Sequence, residues 1–397
     1  MSEKREMDDL RPDTIATHAG RDPARHAGAV NPPVYHASTI LFDRVDAYRR
    51  RHELFYDGVG YGLYGTPTML ALAETVAALE GAKRAVVLSS GSAAIAATFL
   101  GLTEAGAHVL LPDNVYGTVR AFCGSVLTRF GVAVEYYDPM IGAGIDALIR
   151  PETKLVYLES PGSFTFEVQD VPAIARAARA RGVATAHDGS WASPVFMRAT
   201  ELGVDVAIQS GTKYLSGHSD IIFGSAATND EAIFRRIKEA AGRLGNRLGG
   251  EDCFLALRGI RTLPVRMPRH QESGLLLARW LAGQKQVKRV LHPALPDCPG
   301  HAHWVRDFTG ASGLFGVVLC PVPDARVVRM IECLRLFKIG SSWGGFESLI
   351  VPTDPAPLRT VTRWREDGPL VRIHAGLEDV RDLQDDLARG LALLAGD

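Results

Sequence analysis

Between residues 84 and 228 the chain alternates short apolar runs with stretches whose apolar residues recur at helical spacing. The runs RAVVLSS (84–90), AHVLLPD (107–113), VAVEYYD (132–138), KLVYLES (154–160), VATAHD (183–188), VDVAIQS (204–210) and IIFGSAA (221–227) read as strands. SAAIAATFLGLTEAG, YGTVRAFCGSVLTRFG and VPAIARAARARG lie between them and read as helices. Strands that are apolar throughout and separated by helices predict an α/β fold, with a mainly parallel sheet covered on both faces. Upstream, Thr66 can cap a helix that has Pro67 at its first position, runs through MLALAETVAALE and stops at Gly81.

This block spans residues 62–258. Residues 259–397 mix helical and strand patterns (LLLARWLAGQ, KRVLHPAL, GLFGVVLC, ARVVRMIECLRLF, LVRIHAG, then an amphipathic helix from Glu378) and predict a smaller α+β domain. Residues 1–61 are irregular and charged (NPPVYHAS, YRRRHE), the pattern of an extended arm.

Composition narrows the class. Lys+Arg total 44 against Asp+Glu 45, so nothing in the charge balance points to nucleic acid or an anionic membrane surface. No apolar run approaches the roughly 18–20 residues of a membrane span. The start, MSEKREMDDLRPD, lacks the apolar core of a signal peptide, so a cytoplasmic location is expected. Cys123, Cys253, Cys298, Cys320 and Cys333 are scattered without a C-x-x-C, so neither a disulfide framework nor a metal site is expected.

Candidate chemistry begins with GYGLYGTPT (60–68), where Gly60, Gly62 and Gly65 spell the G-x-G-x-x-G of a dinucleotide turn. That fingerprint needs a preceding strand and an acidic residue about 20 positions on. HELFYDGV is a poor strand and no such acid follows, so the stretch reads as a Gly-rich loop leading to a helix cap. In QSGTKYLSGHSD (209–220), Ser210 and Lys213 form S-x-x-K, but the partner motifs S-D-N and K-T-G of the penicillin-recognising enzymes are missing. A lysine at the mouth of a parallel sheet can instead condense with an aldehyde cofactor, aided by desolvation; a plain surface lysine remains open. Asp188 ends VATAHD, at the strand edge where α/β sheets bind ligands, and could hold a pyridinium N–H or simply cap a helix. In LSSGSAAI, Gly91 and Ser92 open an Ala-rich helix whose free N–H groups could bind phosphate, or form an ordinary turn. The order of phosphate turn, acidic strand end and lysine is more informative than any one signal.

With those residues in place, the chain resembles the cystathionine β-lyase group of the transsulfuration (Cys/Met metabolism) pyridoxal-phosphate enzymes. The resemblance runs from VNPPVYHAST to the terminal helix and is carried by YLESPGS (157–163), TKYLSGHSD, LALRGIRTL, HPALP, RDFTGASGLFG, SWGGFESL and HAGLEDV. It implies the aspartate-aminotransferase-like fold (fold type I) and pyridoxal 5'-phosphate as cofactor. Lys213 would bind the cofactor aldehyde, Asp188 would pair with the ring nitrogen, and Tyr116 would stack on the ring and help activate the substrate amine. Gly91, Ser92, Ser210 and Thr212 would hold the phosphate. Arg372 would grip the substrate carboxylate, beside Ser342, Trp343 and Ser163. Trp343 and Ser163 stand where γ-acting relatives tend to carry Leu and Asn. Tyr61 would reach into a neighbouring subunit's site, which requires a homo-oligomer with shared active sites; tetramers are usual in the family. The implied reaction is β-elimination from cystathionine or a related cysteine S-conjugate. γ-Elimination, γ-replacement, racemisation or a non-catalytic binding role are the alternatives.

Four departures stand out. Leu63 occupies the place of an arm arginine that contacts the neighbour's phosphate. Gly189 and Ser190 replace the usual Asn and Thr after Asp188, and Ser341 replaces a tyrosine common before SWGG, opening space near the substrate.

Overall fold

The structure, a computed structural model, describes residues 10–394. All seven apolar runs of the central block are strands: β1 Arg84–Leu88, β2 His108–Pro112, β3 Ala133–Tyr137, β4 Thr153–Glu159, β5 Ala184–Asp188, β6 Val206–Gln209 and β7 Gly224–Thr228. They form one sheet in the order β1-β7-β6-β5-β4-β2-β3, in which β7 is antiparallel to both neighbours and the other pairs are parallel. The helices of ten or more residues are α1 Pro67–Leu79, α2 Gly91–Leu102, α3 Val171–Ala180, α4 Glu231–Arg243, α5 Gly250–Arg261, α6 Leu263–Ala282 and α7 Val380–Ala392.

The continuous hydrophobicity of the strands has a direct packing cause. Val109 and Leu111 of β2 face a core shared with Ala97 and Phe99 of α2 and Phe234 and Ile237 of α4. Leu110, between them, faces the opposite core with Leu72 and Val76 of α1 and Ile174 of α3. Both faces are buried, so a strand with a polar face would leave charges without water. The Thr66 hydroxyl accepts from Met69 N at 3.4 Å, and Pro67 opens α1 as its fixed φ favours.

A second sheet, antiparallel in the order β10-β11-β9-β8, consists of β8 Val287–Leu291, β9 Leu314–Leu319, β10 Leu349–Thr353 and β11 Leu370–His374. It packs with α6 and α7 around a third core that includes Phe315, Ile350, Val371 and Leu387. Arg372 sits on an interior strand, since β11 pairs with both β10 and β9.

Residues 12–19 depart from the expectation of an extended arm over residues 1–61, of which residues 1–9 lie outside the described residues. Pro12–His18 is a helix, Ile15 and Ala16 are buried in the main core, and Arg261 donates to Ala16 O (2.8 Å) and Ala19 O (2.9 Å). The charged composition hid a short apolar pair that docks on its own subunit. Residues 45–49 and 51–55 form short helical turns.

The connection from β6 to β7 carries Lys213 and is fixed from behind by Arg266 of α6. This buried guanidinium donates to Tyr214 O (2.8 Å) and Gly259 O (2.8 Å), and burial lowers its proton affinity to a pKa of about 10. Arg266→Leu leaves those carbonyls without a donor and is expected to lower unfolding stability by about 2–4 kcal/mol. Urea denaturation measures this; a loss under about 0.5 kcal/mol would mean that water replaces the guanidinium.

Candidate active site

Parallel strands end at a common edge, where the sheet stops and the helices have not yet begun to cover it. A cavity of about 350 Å3 opens there, within the range of small-molecule sites. Gly91, Ser92, Tyr116, Ser163, Asp188, Ser210, Thr212, Lys213, Ser342, Trp343 and Arg372 all line it, so eleven of the residues singled out in the sequence meet in one place. Tyr61 does not. It is 47 % exposed, lines a separate cavity beside Arg51 and Tyr64, and makes no contribution to the lysine cavity of its own subunit.

Lys213 Nζ donates to Ser342 Oγ at 2.6 Å and lies 5.5 Å from the centre of the Trp343 ring. Burial, followed by the positive charge of Arg372, lowers the amine pKa to about 8, against an opposing pull from Asp188. Ser342 joins two functional groups, because its carbonyl accepts from Arg372 Nη2 at 2.9 Å. Its φ of 80° is a left-handed conformation that non-glycine residues seldom adopt. The following turn is shaped by close approach: Gly344 has φ 86°, and a Cβ there would stand 2.9 Å from the Lys213 carbonyl carbon.

Asp188 ends β5, opposite Glu159 at the end of β4. Burial pushes the Asp188 carboxyl up, and Ser190 N donates to it at 3.0 Å. The Ser190 hydroxyl in turn accepts from Ser210 N at 2.6 Å, so this departure from the family wording links the acid to the lysine turn. At Gly189, a Cβ would come within 3.0 Å of Gln209 Nε2.

Glu159 is a titratable cavity residue that the sequence reading missed. Its carboxylate accepts from Tyr116 N (2.8 Å) and Ser163 Oγ (2.6 Å), and burial, then the neighbouring Asp188, raises its pKa. The signal was available: Glu159 is an acid at a parallel strand end, like Asp188. Ser163 therefore enters the site with its hydroxyl already donating to Glu159. Thr212 similarly spends its hydroxyl proton on Phe223 O (3.1 Å), whereas the hydroxyls of Ser92 and Ser210 bond to no described residue. Ser341 is exposed at the cavity rim.

Pyridoxal phosphate fits these residues. At the start of α2, a Cβ on Gly91 would meet Ser210 Oγ at 2.6 Å, so the two segments approach closely only because glycine stands there. With Ser90 capping the helix through Ala93 N (3.0 Å), the N–H groups of that first turn and the free hydroxyls of Ser92 and Ser210 are suited to a phosphate. Asp188 is a half-buried acid at the cavity wall that would gain from a protonated ring nitrogen. Lys213 is an amine whose lowered pKa favours reaction with an aldehyde.

An amine of lowered proton affinity sharing one cavity with a strand-end acid meets the needs of pyridoxal-phosphate chemistry, and the sheet that carries both has the fold type I architecture of such enzymes. The chain belongs to the Cys/Met metabolism PLP-dependent enzyme family, whose family model matches residues 13–392. It is 42% identical over 393 residues to the cystathionine beta-lyase of Salmonella typhimurium, covering 97% of this chain and 99% of that one. It is 38% identical over 397 residues to the L-alanine/L-glutamate racemase of Wolbachia pipientis wMel, covering 97% and 98%. Among solved structures, metB from Corynebacterium glutamicum superposes with a TM-score of 0.91 at 30% identity, over 98% of this chain and 100% of that chain.

The lysine supplies a pH test. Only the neutral amine condenses with an aldehyde, and Lys213 loses its proton as pH rises through about 8. Cofactor uptake by the cofactor-free protein is therefore expected to accelerate from pH 6 to 9, with its midpoint near 8, when followed by stopped-flow absorbance. A midpoint near 10 would show that the amine is not desolvated.

Proposed function

We propose that this chain is a pyridoxal-phosphate carbon–sulfur β-lyase acting on cystathionine or a related cysteine S-conjugate, releasing a thiol, pyruvate and ammonia. The observation that carries the reading is the placement of Ser342 between Lys213 Nζ and Arg372, which sets the proton-moving amine beside the group suited to an α-carboxylate. When bound, the cofactor supplies the electron sink for the pair left at Cα. Arg372 binds the substrate carboxylate through its planar fork and so orients the Cα–H bond. Lys213 Nζ takes the Cα proton and later delivers a proton to the departing sulfur, with Ser342 Oγ holding the amine between the two positions. Asp188 would hold a proton on the ring nitrogen of the bound cofactor, beside Glu159, whose proton affinity burial and the neighbouring Asp188 raise. Tyr116, 45 % exposed at the rim, would stack on the cofactor ring and help exclude water. Breaking the Cβ–S bond releases the thiol, and the three-carbon remainder hydrolyses to pyruvate and ammonia.

Tyr61 belongs, in this reading, to the site of a neighbouring subunit, so the working unit is at least a dimer, with a tetramer expected from the family resemblance and a cytoplasmic location. Among the described residues no helix is long and apolar enough to cross a membrane, and no group of His, Cys, Asp or Glu is placed to hold a metal ion. Incubation with cystathionine should yield pyruvate, and Lys213→Ala should reduce the rate by about a hundredfold or more. Formation of 2-oxobutyrate would instead assign γ-elimination.

The 38% identity to a racemase favours a second reading on the same parts. Deuterium entering the Cα of L-alanine in D2O, with no keto acid from any cysteine conjugate, would select it.

Leu63 carries a separate consequence. Lys213 and Arg372 are the cationic side chains in the cavity, and neither is at the phosphate end by this assignment. Leu63→Arg adds a guanidinium–phosphate bond of about 1.5–3 kcal/mol, so the cofactor should dissociate about ten- to a hundredfold less readily. Equilibrium dialysis reads the change, and an unaltered dissociation constant would remove position 63 from the phosphate site.

A further inference from the structure

We propose that the long connection between β10 and β11 is a strap that fixes the loops carrying Tyr116 and Ser163, with Asp113 and Arg359 as its positioning residues. The inference rests on the proposed function only for what Tyr116 does. Antiparallel neighbours are usually joined by about 2–5 residues; here residues 354–369 intervene and travel to the other sheet's loops.

Asp113 follows β2 and precedes Tyr116 by one short turn. Its fully buried carboxylate accepts from Thr360 N (2.9 Å) and Oγ1 (2.8 Å), Val361 N (2.9 Å), Thr362 N (2.7 Å) and Oγ1 (2.9 Å), and Arg120 Nη2 (2.9 Å). Consecutive backbone N–H groups of the strap thus wrap one anion. Donors on this scale hold Asp113 ionised, well below the usual carboxylate range, although burial opposes them.

Arg359 makes the second anchor. It donates to Thr165 Oγ1 (2.5 Å) and Glu167 Oε1 (2.6 Å), with its side chain only 5 % exposed. Glu167 Oε2 accepts from Asn114 Nδ2 at 3.1 Å, and Ser163 N donates to Asn114 O at 3.0 Å. The network closes on itself: strap to Asp113, Asp113 through Asn114 to Glu167, and Glu167 back to the strap. Glu159 holds Tyr116 N and Ser163 Oγ from the inner side, so both loops are gripped from two directions. Val361 is 53 % exposed, so polar anchors rather than apolar burial hold this part of the strap. Because the strap continues into β11, the strand that presents Arg372 is tied to the loop that presents Tyr116.

The test uses the holoenzyme with Arg359→Met and, separately, the Thr360→Val/Thr362→Val double variant, which spares the buried carboxylate. Hydrogen–deuterium exchange at residues 114–117 and 162–167 should accelerate about tenfold or more while β5 and the start of α2 keep their protection. The kcat for elimination should fall about tenfold with the cofactor dissociation constant within about twofold of the parent, and Arg359→Lys should recover part of kcat. Unchanged exchange in both loops overturns the proposal, as does faster exchange across the whole chain with loss of cofactor, which marks a purely structural role. If the parent protein eliminates no conjugate, the exchange result still decides the strap, and the failure belongs to the proposed function alone.

Discussion

Desolvation of a single amine organises this protein. Lys213 needs a dry setting to lose its proton near neutrality, and dryness is expensive for every other charge nearby. The structure meets both demands at the edge of a parallel sheet. Helices cover both faces of the sheet, leaving the strand ends as the place where polar groups can gather. Asp188 and Glu159 lie side by side there, and burial raises both carboxyls. An amine with lowered proton affinity and acids with raised affinity are two results of one environment, and their opposite displacement is what proton-transfer chemistry requires.

The same environment explains why the site is assembled from both sheets. The large sheet delivers the amine and the acids, while the small one delivers Arg372 from an interior strand. Ser342 is where the two contributions touch, with its hydroxyl on Lys213 and its carbonyl on Arg372. Its left-handed backbone, at φ 80°, is a local cost borne for that double contact. Arg266 and the strap around Asp113 perform similar work farther out, each using a buried charge with several hydrogen-bond partners to hold a loop whose tip faces the cavity. Buried ions are poor stabilisers unless their hydrogen bonds are met, and the Asp113 carboxylate and the Arg266 guanidinium each have several partners.

Much of this was legible in the sequence. The seven strands of the main sheet were readable because burial on both faces demands uninterrupted apolar runs, and Thr66-Pro67 marked a helix start by local rules. Lys213, Asp188 and the Gly91-Ser92 turn were visible as strand-end and helix-start chemistry, each weak alone. Other features escaped. Glu159 carried the same strand-end signal as Asp188 but was passed over, because a Glu after an apolar run is as readily a turn residue until its pairing opposite Asp188 is seen. The docking of residues 12–19 on the core was hidden by charged neighbours.

The sequence by itself determined the periodicities, the caps and the order of the chemical groups along the chain, because these depend on neighbours a few residues apart. Family resemblance added the cofactor and the identity of Arg372. Tertiary structure alone decided which of those groups meet. It brought Ser342 and Arg372 to Lys213, and it aimed the strap of residues 359–362 at Asp113. It left Tyr61 outside its own subunit's cavity. Such encounters join residues more than a hundred positions apart. Their energies come from desolvation and from the completion of hydrogen bonds, which exist only once the two sheets are packed.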